Sequence, residues 1–226
     1  GKTIQPFGNA KLSTSVKKWG TASLALDGTG DYAFVQSSTD FQFGTGSYTF
    51  EGWFYNTGGR SAVQTLFDFR TAEPQIAPTL NIQTNGSLLY YVNGVSRITT
   101  SAGVVPLNAW THIAISRDSS VGTKLFVNGT QVGSTTYNAL NYIQAPLTLG
   151  ARYDGSLAFV GYVDDVRVSK GIARYTSNFT APTGILANDS YTVLLSRFDG
   201  ANNATTFTDE TFLVPVSYTH LRAHET

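Results

Sequence analysis

The sequence contains no cysteine and no methionine. The first absence excludes a disulfide framework and any thiolate metal site. Charge is sparse as well: 15 Lys and Arg balance 15 Asp and Glu, and charged residues make up 13% of the 226. With no basic excess to neutralise a phosphate backbone, general nucleic-acid binding is excluded. An intrinsically disordered chain needs high net charge and few aromatics, whereas 13% of this one is aromatic. No apolar run approaches the roughly 20 residues of a membrane-spanning helix, and the opening residues do not read as a signal peptide. The lack of methionine even at position 1 leads to the expectation of a fragment or processed piece of a longer reading frame.

What is present is strand and turn material. Gly is abundant at 22 residues, Ser and Thr are frequent, and the helix formers Glu and Lys are scarce. Apolar residues recur with period two. Tyr48-Thr49-Phe50-Glu51-Gly52-Trp53-Phe54-Tyr55 carries aromatics on both parities, which predicts a central strand covered on both faces. Further strands are expected at 66–70, 79–83, 88–92, 96–99, 110–116, 124–127, 130–132, 147–149 and 157–168. Asn85-Gly86, Asn93-Gly94 and Asn128-Gly129 between such runs predict hairpins, because both central residues must accept positive φ. In the long run 157–168 the buried parity switches between Val163 and Val166, so a β-bulge is expected at Asp164-Asp165. Only Ile172-Ala173-Arg174-Tyr175 reads as a turn of helix. The fold class is therefore all-β, an antiparallel two-sheet jelly-roll sandwich.

Several strings, in this order and spacing, resemble laminin-G-like, concanavalin A-like lectin and glucanase jelly-roll domains. They are Leu26-Asp27-Gly28-Thr29-Gly30-Asp31-Tyr32, Tyr48-Thr49-Phe50-Glu51-Gly52-Trp53, Trp110-Thr111-His112-Ile113-Ala114, Leu125-Phe126-Val127-Asn128-Gly129 and Gly161-Tyr162-Val163-Asp164-Asp165-Val166-Arg167-Val168. The string from Gly171 to Thr183 is similar to the version found in bacteriophage tail-fibre and virion structural proteins. The resemblance covers roughly residues 1–186. It implies a glycan- or surface-binding module, sometimes carrying calcium, within an adhesin-like or virion protein.

The ends of the chain carry their own expectations. Residues 187–213 resemble the opening strand of a next repeat, as if the chain were cut out of phase from a tandem array. Because domain termini tend to lie close together, residues 191–198 are expected to fold back, fill the empty sheet position of 1–186 and complete the same sandwich. Residues 214–226 are expected to be an artefactual or disordered tail, and Val216 to Thr226 resembles a translated sequencing adapter. That leaves His112 as the one histidine to reason from.

Glycoside hydrolysis needs two carboxylates facing one groove, and no Glu-x-Asp-x-x-Glu string occurs. Asp164 and Asp165 are neighbours that a regular strand would point to opposite faces. A non-catalytic protein is therefore expected. Asp27 and Asp31, flanking a Gly-Thr-Gly turn, are candidate calcium ligands; the alternative is an Asp-Gly turn whose side chains bond their own backbone. Sugar binding needs a ring for the apolar sugar face and polar neighbours for its hydroxyls. Tyr91, Asn93, Arg97, Arg152, Tyr153 and Asp154 are the candidates, with Tyr90, Trp53 and Tyr55 as further aromatic groups. For Trp53 and Trp110 the favoured expectation is burial in the core or on a covered sheet face.

The function expected is non-catalytic recognition of a glycan or host cell-surface polysaccharide by one module of a virion or extracellular surface protein, flanked by neighbouring repeats. The competing expectation is a structural spacer in a fibre, which would bury its aromatics and expose Ser, Thr and Asn.

Overall fold

A computed structural model of the chain describes residues 1–137 and 139–211. The expectations for the tail 214–226 lie outside the described residues. Among the described residues fifteen strands follow one another: β1 (Ile4–Phe7), β2 (Lys11–Ser13), β3 (Ser23–Asp27), β4 (Tyr32–Ser38) and β5 (Tyr48–Asn56). Next come β6 (Gln64–Asp68), β7 (Thr79–Ile82), β8 (Leu88–Val92), β9 (Val95–Thr99) and β10 (Trp110–Asp118). The set closes with β11 (Gly122–Val127), β12 (Thr130–Thr136), β13 (Ala145–Leu149), β14 (Val160–Lys170) and β15 (Thr192–Ser196).

They form two antiparallel sheets. One has the order β1-β4-β13-β6-β7-β8-β9; the other has the order β12-β11-β10-β5-β14-β3-β2, with β15 also pairing β14. This is the jelly-roll sandwich that the period-two pattern predicts. Between the sheets Phe50, Phe54, Phe67, Leu80, Leu147 and Val163 are fully buried. Each such side chain contributes about 1.5–3 kcal/mol relative to exposure. Tyr90 belongs to this core rather than to a binding surface: it is fully buried, and its hydroxyl bonds those of Tyr48 (2.7 Å) and Tyr142 (2.9 Å).

β5 is covered on both faces as far as Trp53, since Thr49, Glu51 and Trp53 on its outer face are buried like Phe50 on its inner one. β14 carries the bulge. Its register against β5 slips between Asp164 and Arg167, Asp165 adopts φ +48°, and Val163 and Val166 both face the core. β15 lies along the same edge of β14 as β3, pairing Val166 with Ser196 and Val168 with Leu194. Leu194, Leu195 and Phe198 are buried there, and Phe207 beyond them bridges to Ile4 in the other sheet.

Two local expectations differ from the structure. Residues 172–175 form no helix. Their backbone is satisfied by the sheet beneath, where Thr49 Oγ1 donates to Ile172 O and accepts from Arg174 N, while Tyr175 N donates to Ser116 Oγ. At Asn85-Gly86 only Gly86 has positive φ, whereas Asn93-Gly94 and Asn128-Gly129 use positive φ at both positions, as a two-residue hairpin turn requires.

Candidate functional site

The outer face of the seven-stranded sheet holds a polar cluster built from strand alternation. Because Phe67 and Phe69 point into the core, Asp68 and Arg70 point the other way. Asp68 pairs with Thr79, and Thr79 with Tyr91, so these three form one transverse row. Asn81 and Leu89 pair in the next row. Arg70 donates from Nε to Asp68 Oδ1 and from Nη2 to Asp68 Oδ2, each at 2.8 Å, in a bidentate pair. Asp68 also accepts from Thr79 Oγ1 (2.8 Å) and from Tyr153 N (3.1 Å). Held this way, the Arg70 guanidinium lies over the rings of both Tyr91 (5.3 Å) and Tyr153 (5.4 Å).

Beside it Glu73 accepts from Arg70 Nη1 and, at 3.2 Å, from Arg152 Nη2. Arg152 also donates to the Tyr153 hydroxyl (3.1 Å). A cleft of about 260 Å³ opens between these groups, Asn81, Leu89 and the side wall of Val63 and Leu157. Tyr91, Tyr153 and Arg152 remain half-exposed in and beside it.

Of the sequence candidates, Tyr91, Arg152 and Tyr153 thus converge. Asp154 stands on the rim, its Oδ1 taken by Ser156 N and Oγ and its Oδ2 3.8 Å from Arg152. Asn93 is a turn residue of the β8–β9 hairpin, and Arg97 sits on the edge strand β9 with its Nε buried and unpartnered. The sequence reading missed Asp68, Arg70, Glu73 and Asn81. The polar parity of Leu66-Phe67-Asp68-Phe69-Arg70 is the signal that marks the first two.

Asp27 and Asp31 build a turn. Asp31 accepts from Asn9 N (2.7 Å) and Asp27 N (3.0 Å); Asp27 accepts from Thr29 N (2.8 Å) and Asn9 Nδ2 (3.0 Å). The Asn9 amide holds the Asp27 carboxyl below its ordinary value. Each of the four carboxylate oxygens accepts one N–H bond, the bonding expected of the Asp-Gly turn alternative. Among the described residues no group of three or more acidic or histidine side chains is placed to hold a metal.

On the outer face of the other sheet Glu51 is fully buried at the centre of a network. Arg167 donates to its Oε1 from Nε (2.9 Å) and Nη2 (2.6 Å), while the Tyr175 hydroxyl (2.7 Å) and His112 Nε2 (3.2 Å) meet its Oε2. Residues around Tyr175 and Phe179 cover this network, so His112 serves packing there. Asp164 accepts from Lys18 N and Trp19 N, and Asp165 from Leu186 N; both are buried, tying the chain's two flanking segments to the bulge. Trp53 is buried under Lys18, whose Nζ lies 4.0 Å from the ring centroid. Trp110 departs from the expectation of burial and stays half-exposed, as does Tyr55.

A family model described as the concanavalin A-like lectin/glucanases superfamily matches residues 27–173, more than half of the chain. No curated protein matches the sequence. Among solved structures, a proposed carbohydrate binding protein from Bacteroides ovatus is similar at 19% identity and TM-score 0.58, over 93% of this chain and 56% of that one. The chain therefore spans little more than half the length of that relative. Domain 4 of the arabinanase AbnA from Geobacillus stearothermophilus, solved with arabinotriose, is similar at 18% identity and TM-score 0.52, over 75% of this chain and 82% of that one. Domains LG4-5 of the mouse laminin α1 chain are similar at 18% identity and TM-score 0.50, over 75% and 48%. At these identities the likeness is one of fold. Family match, sheet order and laminin-G-like motifs agree: the chain belongs to the concanavalin A-like lectin/glucanases superfamily, as a laminin-G-like jelly-roll sandwich.

Proposed function

We propose that this domain is a non-catalytic carbohydrate-binding module whose ligand lies in the cleft over Tyr91. The observation that carries this reading is the locked Asp68–Arg70 pair beneath Tyr91 and Tyr153. It fixes an aromatic surface beside amide, carboxylate and guanidinium groups in an open cleft, so little ordering remains to be done on binding. A sugar's apolar face stacks on the half-exposed Tyr91 ring, and its hydroxyls reach Asn81, Glu73 and Arg152. The likeness to a proposed carbohydrate binding protein and to a domain solved with arabinotriose supports the same reading.

Catalysis is not part of the proposal. Asp68 and Glu73, the carboxylates in and beneath the cleft, are both engaged by arginine, and neither is left as a free acid or base. The likeness of residues 171–183 to phage proteins supports placing the module in a larger virion, tail-fibre or adhesin-like protein at a virion or cell surface, beside neighbouring repeats. A glycan array probed with the full chain tests the reading. Retention of a defined glycan set, lost in Tyr91→Ala with an unchanged melting temperature, is expected. An empty array contradicts it, as does retention that Tyr91→Ala leaves intact. Release of reducing ends from a retained glycan, abolished by Glu73→Gln, contradicts the non-catalytic part.

A further inference from the structure

The cleft over Tyr91 does not end at its side wall. Val63 and Leu157 also wall a second depression of about 340 Å³, which runs along Gly58, Gln64 and Ala158. That depression reaches Val160, and Val160 lines a third one of about 400 Å³ together with Asn9, Lys11, Asp27, Thr57 and Tyr162. The three run from the outer face of one sheet, over the rim of the sandwich, to the outer face of the other.

At the far end an aromatic row crosses the strands. Lys11 pairs with Ala25, Ala25 with Tyr162, Tyr162 with Tyr55, and Tyr55 with Trp110. The Tyr55 ring centroid lies 6.1 Å from that of Tyr162 and 5.5 Å from that of Trp110, and all three rings are half-exposed. The next row on this face is covered, with Lys18 over Trp53, and Tyr175 and Phe179 against His112. At this end the three rings are left uncovered.

In the middle stands Leu157, 39% exposed at φ +50°. A leucine in left-handed backbone is strained and persists only where its surroundings over-determine it. Here Thr65 N donates to Leu157 O (2.7 Å), Thr57 N to Val160 O (3.0 Å) and Val160 N to Gln64 Oε1 (3.0 Å). These bonds hold an apolar side chain outward where the first two depressions meet.

We propose that the three depressions are one groove, and that it takes an internal stretch of a linear, uncharged polysaccharide running from Tyr91 over Leu157 to Tyr162. A groove open at both ends admits a continuing chain, where a closed pocket would select a terminal sugar. Neutrality of the ligand follows from the balance of charge along the track, where the lining cations Arg70, Arg152 and Lys11 are matched by the lining carboxylates Glu73, Asp27 and Asp31. The inference rests on the carbohydrate reading of the Tyr91 cleft.

Native gels cast with debranched arabinan, xylan, mannan or laminarin test it with the full chain. The polymer that retards the protein most is then titrated calorimetrically as its octamer and its trimer. The octamer is expected to bind about tenfold more tightly, a difference of about 1.4 kcal/mol. Tyr162→Ala and Leu157→Gly are each expected to shrink that advantage severalfold; glycine suits the φ at 157, so this variant keeps the fold while removing the side chain. Equal affinities of octamer and trimer, or an advantage untouched by both variants, overturn the groove and leave the Tyr91 cleft standing. So does retention of terminal glycans on an array without retardation by any of the four polymers. No binding in either assay overturns both readings.

Discussion

Burial pushes the two bulge carboxyls upward, Asp164 to about 7 and Asp165 to about 6, against the backbone N–H bonds from Lys18, Trp19 and Leu186 that favour their charged forms. Since both values exceed those of an unfolded chain, the folded state binds more protons. The contribution to stability is full below about pH 4 and is lost as pH rises through about 6 to 7. Glu51 works in the opposite sense: burial raises it, but the His112 bond and the Arg167 charge outweigh burial and hold it below its ordinary value, so its contribution is lost only at more acid pH. Melting temperature is therefore expected to fall as pH rises from about 5 to 8, and Asp164→Asn is expected to flatten that slope. A wild-type melting temperature constant across this range contradicts the assignment. Removing Arg167 instead leaves a buried carboxylate without its main countercharge. Arg167→Ala is expected to cost about 3–5 kcal/mol in denaturant unfolding, and a loss below about 1 kcal/mol would mean that the network contributes little to the fold.

Strands and turns were legible where local chemistry decides them. Asn93-Gly94 and Asn128-Gly129 announce tight hairpins because few other residues tolerate positive φ twice in succession. The bulge at Asp164-Asp165 was legible because only an extra residue reconciles the two buried valine parities. Residues 172–175 misled because the helical spacing of one short turn counts for less than the side-chain partners that Thr49 and Ser116 offer an irregular backbone. At the edge of β14, β15 fills the place beyond β3, with Leu195 fully buried and Tyr191 exposed. Leu195→Ala is expected to destabilise by about 2–5 kcal/mol, whereas Tyr191→Ala stays within about 0.5 kcal/mol. Equal, small effects of both in urea unfolding would show β15 to be a loosely attached strand.

For the molecule as a whole, the sandwich was readable and its site only partly so. Alternation tells which side chains of a strand share a face, but it does not tell which strands are neighbours. Arg70 beyond β6 meets both Tyr91 on β8 and Tyr153 on the loop after β13, because the sheet order is β13-β6-β7-β8. That order joins segments distant in sequence, so Arg152 and Tyr153 could be proposed from composition but Asp68 and Arg70 could not be attached to them. Parity does separate Tyr90 from Tyr91: one bonds Tyr48 and Tyr142 in the core, and the other faces the cleft.

The proposed function places sugar on this outer face, at Tyr91. A crystal structure of the full chain with an array-retained oligosaccharide tests it most directly. A sugar ring stacked on Tyr91 is expected, with hydroxyls within about 3.2 Å of Arg152 and Asn81. Ordered sugar elsewhere, with the Tyr91 cleft holding solvent alone, would contradict it.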